Sequence, residues 1–129
     1  MKESTETLIR YRLERARDAL GEARLLADSK YWNTCTNRLY YACFYIVNAL
    51  LLRDGLSSSK HSGVRSLFNH HYVKNGIVSK ELGKLYNDLY ENRQEGDYQD
   101  MVRMKPEDVQ AWIPQAEEFV EVISRLIRE

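Results

Sequence analysis

Little in this sequence interrupts a helix. Two prolines and six glycines in 129 residues exclude a long linker and a low-complexity tail. An excess of either charge is lacking too: 19 Lys and Arg balance 19 Asp and Glu. A protein that coats nucleic acid is usually basic overall, so that class is disfavoured, although a local basic site is not excluded. No apolar run is long and unbroken enough to span a bilayer, and residues 1–6 lack the apolar centre of a signal peptide. No membrane association is expected. Cysteine is scarce: Cys35 and Cys43 lie eight positions apart, about 12 Å of rise on one helix, beyond disulfide reach. Two unpaired thiols suit a reducing compartment, and the expected location is the cytoplasm.

The common catalytic signatures are missing as well. The chain has no phosphate-binding loop, no dinucleotide fingerprint and no nucleophile elbow. His70 and His71 are adjacent and point to different faces of a helix, and no second ligand pair has zinc spacing. Neither a metal nor a cofactor is expected. What remains is 29% charged and 43% hydrophobic residues, the balance of a globular protein. The length suits one domain, residues 1–129, around one core.

Apolar periodicity predicts five helices and no strand. The first spans about 5–28, where Ile9, Leu13, Ala16, Leu20, Ala23 and Ala27 form a heptad-like stripe whose small alanines permit close approach. The second runs from about Trp32 to Asp54, with Gly55 placed to end it in the left-handed conformation. Ser57, Ser58 and Ser59 are candidate N-caps for a third helix through about Tyr72, ended by Asn75-Gly76. Ser79 caps a fourth, through about Asn92, whose face carries Leu82, Leu85, Tyr86 and Leu89, with Arg93 next on that side. A polar connection, 94–105, leads to a last helix opened by Pro106, Glu107 and Asp108. Its stripe is Val109, Trp112, Ala116, Phe119, Ile123 and Leu126, and Pro114 within it is expected to kink the helix or delay its start. The fold class is therefore all-α: an antiparallel up-down bundle of about five helices.

Residues 37–53 are the most informative stretch. At about 100° per residue, Asn37, Arg38, Tyr41, Tyr45 and Asn48 fall in one arc of about 100°. Apart from Arg53, the rest of the circumference is apolar or aromatic. A helix hydrophobic nearly all round is buried, so the second helix is predicted to be central. Its polar seam must find partners inside the protein or at an interface.

Charge is unevenly placed. Between Arg53 and Lys80 the chain carries Arg53, Lys60, Arg65, Lys74 and Lys80 against Asp54 alone, and all three histidines lie there. From Pro106 onward two arginines face six acids. This pattern fits either ordinary solvated faces or a basic third helix available to phosphate, with the acidic last helix turned elsewhere. Lys60-His61-Ser62-Gly63 opens the third helix, where free amides and added charge attract anions. Arg93-Gln94-Glu95-Gly96-Asp97-Tyr98 follows the fourth. Arg93 extends an apolar face and suits either an ion pair with Asp97, which ties the helix end down, or a phosphate, which its planar fork fits.

Three pieces in order resemble the HEPN domain family (higher eukaryotes and prokaryotes nucleotide-binding), specifically its small stand-alone prokaryotic members. They are Asn37-Arg38-Leu39-Tyr40-Tyr41-Ala42, Lys60-His61-Ser62-Gly63-Val64, and Arg93 followed by Gly96-Asp97-Tyr98. The likeness runs from about Thr5 to Ile127. It implies an up-down helical bundle, usually a homodimer, often encoded beside a minimal nucleotidyltransferase as a toxin–antitoxin or two-component pair. Active members are metal-independent ribonucleases. Their motif is Arg, a polar residue, three variable residues and His, commonly with Tyr two beyond, and two copies form one cleft across the dimer. Here Arg93 matches the arginine and Gln94 the polar residue, but Tyr98 stands in the histidine's place and Asp97 one position before it. A histidine near pKa 6.5 suits proton transfer at neutral pH, whereas an aspartate beside Arg93 is held too acidic for a general acid.

The resemblance therefore favours a module that binds nucleotide, RNA or a nucleotidyltransferase partner over an enzyme. Its polar centre would be Asn37, Arg38, Tyr41, Arg93, Asp97 and Tyr98, with Lys60 and His61 as an anion site. The arginines would hold phosphate or carboxylate, and the tyrosines would donate hydrogen bonds or stack on a base. A ribonuclease using Arg93 with His61 or Asp97 is the second expectation, and it requires His61 to fold near Arg93. A purely structural dimerisation domain is the third.

Overall fold

The structure, a computed structural model, describes residues 3–93 and 103–129. It contains α1 (Glu3–Asp28), α2 (Trp32–Arg53), α3 (His61–Phe68), α4 (Lys80–Asn92) and α5 (Pro106–Arg128). A π-helical segment, Asn69–Val73, continues α3. Among the described residues there is no strand, and the fold is the all-α bundle that the periodicities predict.

The α2 helix is central, in contact with each of the other four α-helices. Eleven of its residues are buried, from Cys35 to Leu51, as expected of a helix apolar nearly all round. The most extensive packing is between α1 and α2. There Ala16, Ala19 and Ala23 of α1 are fully buried, and their small side chains let the two backbones approach closely. A three-residue turn makes this pair an antiparallel hairpin. The Tyr31 amide donates to the Leu26 carbonyl (2.8 Å) and that of Lys30 to Ala27 (3.0 Å), the paired bonds of a Schellman cap. Lys30 takes the left-handed position at φ 63°. The same pair of bonds closes α2, Leu56 to Leu51 (2.8 Å) and Gly55 to Leu52 (3.1 Å), with Gly55 at φ 75°, as the sequence predicts.

On the far side of α2, Phe68, Tyr86 and Phe119 bring α3, α4 and α5 together. The Tyr86 and Phe119 rings stack at 5.9 Å and 12°, and Phe68 meets Tyr86 edge-on at 5.4 Å. Arg24 of α1 holds Glu117 of α5 through two bonds, 2.8 and 2.6 Å, so part of the acidic face of α5 is turned toward α1.

Three local expectations are corrected. The serines before α3 do not cap it. Lys60 is the N-cap, without a side-chain cap bond, and the Ser58 hydroxyl instead accepts from the Lys60 amide (3.2 Å). Gly63 makes room for this turn, because a Cβ there would overlap the Ser58 hydroxyl. Nor does α3 reach Tyr72 as an α-helix. It ends at Phe68, and the Lys74 amide bonds the Asn69 carbonyl five residues back (2.8 Å), a wider turn than α geometry. Finally, Pro114 does not delay α5, which begins at Pro106. Pro114 lies on the exposed face, where the carbonyl left without an amide partner can be hydrated.

The wide turn places Tyr72 in the core, 3% exposed, with its hydroxyl donating to Asp54 Oδ2. Arg53 chelates the same carboxylate (2.9 and 3.2 Å) and also donates to the Leu126 carbonyl of α5. Hydrogen bonding from Arg53 first, and from Tyr72 second, holds the Asp54 carboxyl below its ordinary pKa against the opposing effect of burial. The unfolded value is about 3.9. A depressed folded value means that this stabilisation is present above about pH 4 and is lost as pH falls through the folded pKa. Urea midpoints measured from pH 6 to pH 2 are expected to fall less steeply for Asp54→Asn than for wild type. Superimposable acid limbs would show that Asp54 contributes nothing to acid sensitivity.

Candidate functional site

A row of aromatic rings runs along one flank of α2 and gathers most of the polar residues singled out above. Tyr40 is its hub. Its ring is fully buried, and a buried phenol needs a partner for its hydroxyl. That hydroxyl shares a 2.7 Å hydrogen bond with His61 Nδ1, in which the donor depends on the imidazole tautomer. The His61 ring lies flat on Phe44 at 4.3 Å and 7° and meets Tyr41 edge-on at 5.9 Å. Held at Nδ1 and clamped on one face, the imidazole leaves Nε2 as the nitrogen for any further exchange.

Arg93, the C-cap of α4, approaches the same hub from another element. Its guanidinium carbon lies 3.8 Å from the Tyr90 ring centre and 5.6 Å from that of Tyr40. Nη1 donates to the Tyr90 carbonyl (2.8 Å). Arg65 of α3 also lies over Tyr90, at 3.9 Å, and is ion-paired to Glu91 (2.8 Å). Two guanidinium groups thus converge on one aromatic ring, each in cation–π contact with it.

Arg38 lies 5.0 Å over Tyr41, bonded to Asn37 Oδ1 (3.0 Å) and Glu22 of α1 (3.3 Å). Tyr41 contacts both Tyr40 (5.2 Å, 76°) and His61. Arg38 and Arg93 therefore flank one continuous set of rings. The remainder of the predicted seam is tied locally: Tyr45 accepts from Arg15 (3.4 Å) and Asn48 donates to the Phe44 carbonyl (2.8 Å). Lys60 is exposed at the start of α3. His61, the first residue of α3, is turned back onto the aromatic row. Asp97 and Tyr98, and with them the proposed Arg93–Asp97 clamp, lie outside the described residues.

Beneath the hub, Tyr86 stacks on Tyr40 at 6.0 Å and 26°. Burial first, and Tyr40 second, raise its phenol pKa far above the ordinary value, so it stays neutral in the working range. Burial also pushes the Cys35 thiol up to about 11 and raises that of Cys43, which makes both cysteines inert packing groups at neutral pH. Among the described residues, no group of three or more His, Cys, Asp or Glu could hold a metal ion, and no helix is long and apolar enough to cross a membrane.

The HEPN domain model matches residues 9–126. The chain belongs to the HEPN domain family. It is similar to a UPF0332 protein of Thermotoga maritima, 48% identical over 124 residues that cover 96% of this chain and 94% of the relative. It is also similar to two Methanocaldococcus jannaschii proteins, each named a "putative toxin". One is 32% identical over 91% of this chain and 87% of its own length, and the other is 33% identical over 76% and 67%.

Within this HEPN domain, sequence reasoning missed Tyr40, Phe44 and Tyr90. The helical wheel assigns Tyr40 and Phe44 to the apolar arc, where their burial is correct and their role as a platform is invisible. A signal was available for Tyr40 alone: a tyrosine deep in an apolar arc carries a hydroxyl that must be satisfied, and His61 is the partner that folding supplies.

Proposed function

We propose that this HEPN domain binds single-stranded RNA, or a nucleotide, at the Tyr40–His61–Arg93 cluster. It does so as a homodimer and as the toxin-like member of a pair with a minimal nucleotidyltransferase. The observation that carries this reading is the 2.7 Å Tyr40–His61 hydrogen bond beneath an arginine that lies over the Tyr40 ring. Family membership and the printed names of the M. jannaschii relatives support the toxin-like assignment. The chemistry is that of single-strand recognition: partly exposed rings (Tyr41 and Phe44) on which bases can stack, and arginines whose planar forks suit phosphate. Asn37, Arg38 and Tyr41 would form one end of this surface and Arg93 the other, with Asp97 and Tyr98 following Arg93 in the chain.

A second reading is a metal-independent ribonuclease, favoured by the approach of His61 and Arg93 to the same ring. His61 Nε2 would take the proton of a ribose 2′-OH. The oxygen would bond to the adjacent phosphorus to give a 2′,3′-cyclic phosphate as the P–O5′ bond breaks, the departing O5′ would take a proton from solvent, and Arg93 would stabilise the charge on the phosphoryl oxygens.

The test is incubation of purified wild type, His61→Ala and Tyr40→Phe with a labelled single-stranded RNA in EDTA, scoring retention and cleavage together. Binding without cleavage is the expected result. Cleavage that disappears in His61→Ala would move the assignment to the ribonuclease. Neither binding nor cleavage, from a folded dimer, would leave the cluster as a structural network.

A further inference from the structure

A polar groove of about 690 Å³ opens between α3, the π-helical segment and α4. Arg65, Ser66, Asn69, His70, Lys74 and Asn87 line it, together with Glu91. All seven are polar or charged residues.

The lining has the composition of an anion-binding surface. Lys74 and Arg65 are the cations, Glu91 is the one acid, and Glu91 is already paired with Arg65. Lys74 and His70 are exposed. The floor is held by the Asn69 amide, which donates to Asn87 Oδ1 (3.3 Å). The wide turn at Asn69–Val73 carries His70 at the groove wall and delivers Lys74 at its end, and such π-turns recur at functional sites.

The groove is continuous with the aromatic cluster. Arg65 belongs to both, because it lines the groove and lies over Tyr90, the ring that Arg93 also covers. A strand held at Arg93 is therefore separated from this groove only by the Tyr90 ring. We infer that the α3–π–α4 groove is a phosphate track for single-stranded RNA, holding the backbone beyond the nucleotides that contact the Tyr40–His61–Arg93 cluster, with Lys74 as the principal cation. This deepens the RNA-binding assignment and rests on it.

The test compares two fluorescein-labelled probes by anisotropy, a uridine trimer and a uridine dodecamer, with wild type and three variants. Lys74→Glu is expected to weaken the dodecamer roughly ten-fold and to leave the trimer within about two-fold. It is also expected to reduce the slope of log affinity against log salt by at least about 0.7, the share of one phosphate contact on a single strand. Lys84→Glu makes the same charge change on α4 outside the groove lining and is expected to leave both probes within about two-fold. Arg93→Ala is expected to weaken both. The groove assignment is overturned if Lys74→Glu binds the dodecamer as wild type does, if it weakens both probes equally, or if Lys84→Glu matches its effect. The RNA-binding assignment survives each of those results. If wild type binds neither probe, both assignments fall together.

Discussion

Arg93→Ala is expected to weaken oligoribonucleotide binding by roughly 30- to 150-fold while leaving the helical content unchanged. A charge-assisted hydrogen bond from a guanidinium to phosphate contributes about 2–3 kcal/mol, and each 1.4 kcal/mol is about ten-fold in affinity. The variant also loses the stacking over Tyr90 at 3.8 Å and the bond to the Tyr90 carbonyl. Those losses are expected to lower stability by only about 1 kcal/mol, because the arginine is half-buried at a helix end. Anisotropy titration and urea unfolding separate the two effects. Arg93→Lys discriminates further: it keeps the charge and loses the planar fork, so intermediate affinity is expected. A variant that loses stability yet binds RNA within two-fold of wild type would assign Arg93 to the scaffold alone.

The second large effect is at Tyr86. Truncation to alanine is expected to cost about 3–5 kcal/mol, a large part of the total stability of a domain this size. The side chain is fully buried and stacks between Tyr40 and Phe119, with Phe68 against its edge. Tyr86→Phe preserves the ring and is expected to stay within about 1 kcal/mol. The raised phenol pKa gives this pair a second readout. The native state favours the neutral phenol, so its stabilisation is complete below about pH 10 and is lost as pH rises beyond that. Part of the alkaline destabilisation seen in wild type is therefore expected to vanish in Tyr86→Phe. Urea midpoints for wild type, Tyr86→Ala and Tyr86→Phe at pH 7 and pH 11 measure all of this. A Tyr86→Ala midpoint near that of wild type would mean that the ring stack under Tyr40 contributes little.

How much of this was legible beforehand differs by element. The burial of α2 follows from its composition, since a helix with apolar residues around most of its circumference has nowhere else to go. The alanine stripe of α1 and the leucine face of α4 are equally direct. Gly55 ends α2 because the left-handed conformation is cheap for glycine, whereas Lys30 occupies the same conformation at the end of α1 with no such signal. The π-turn after Phe68 was not legible. The buried residues Val64, Phe68 and Tyr72 are spaced by four, which an α-helix continued through Tyr72 would fit equally well, and what the turn achieves, the contact of Tyr72 with Asp54, lies eighteen positions away in the chain.

The site divides along the same line. Residue type alone marks Arg38, Tyr41, His61 and Arg93 as chemically able, because guanidinium, phenol and imidazole groups are the ones that meet phosphate and move protons. The helical repeat determines that Asn37, Arg38 and Tyr41 share a face. Neither could place His61 on Phe44, bond it to Tyr40, or bring Arg65 and Arg93 onto Tyr90, since α2, α3 and α4 come together only through packing. Local propensity and periodicity act within about two turns of helix, and they determined the elements, their faces and the central place of α2. The joining of His61 and Arg93 across Tyr40, and of the groove to that ring through Arg65, spans tens of residues. It was decided by the tertiary structure, in which a buried tyrosine hydroxyl and two half-buried guanidinium groups had to find partners.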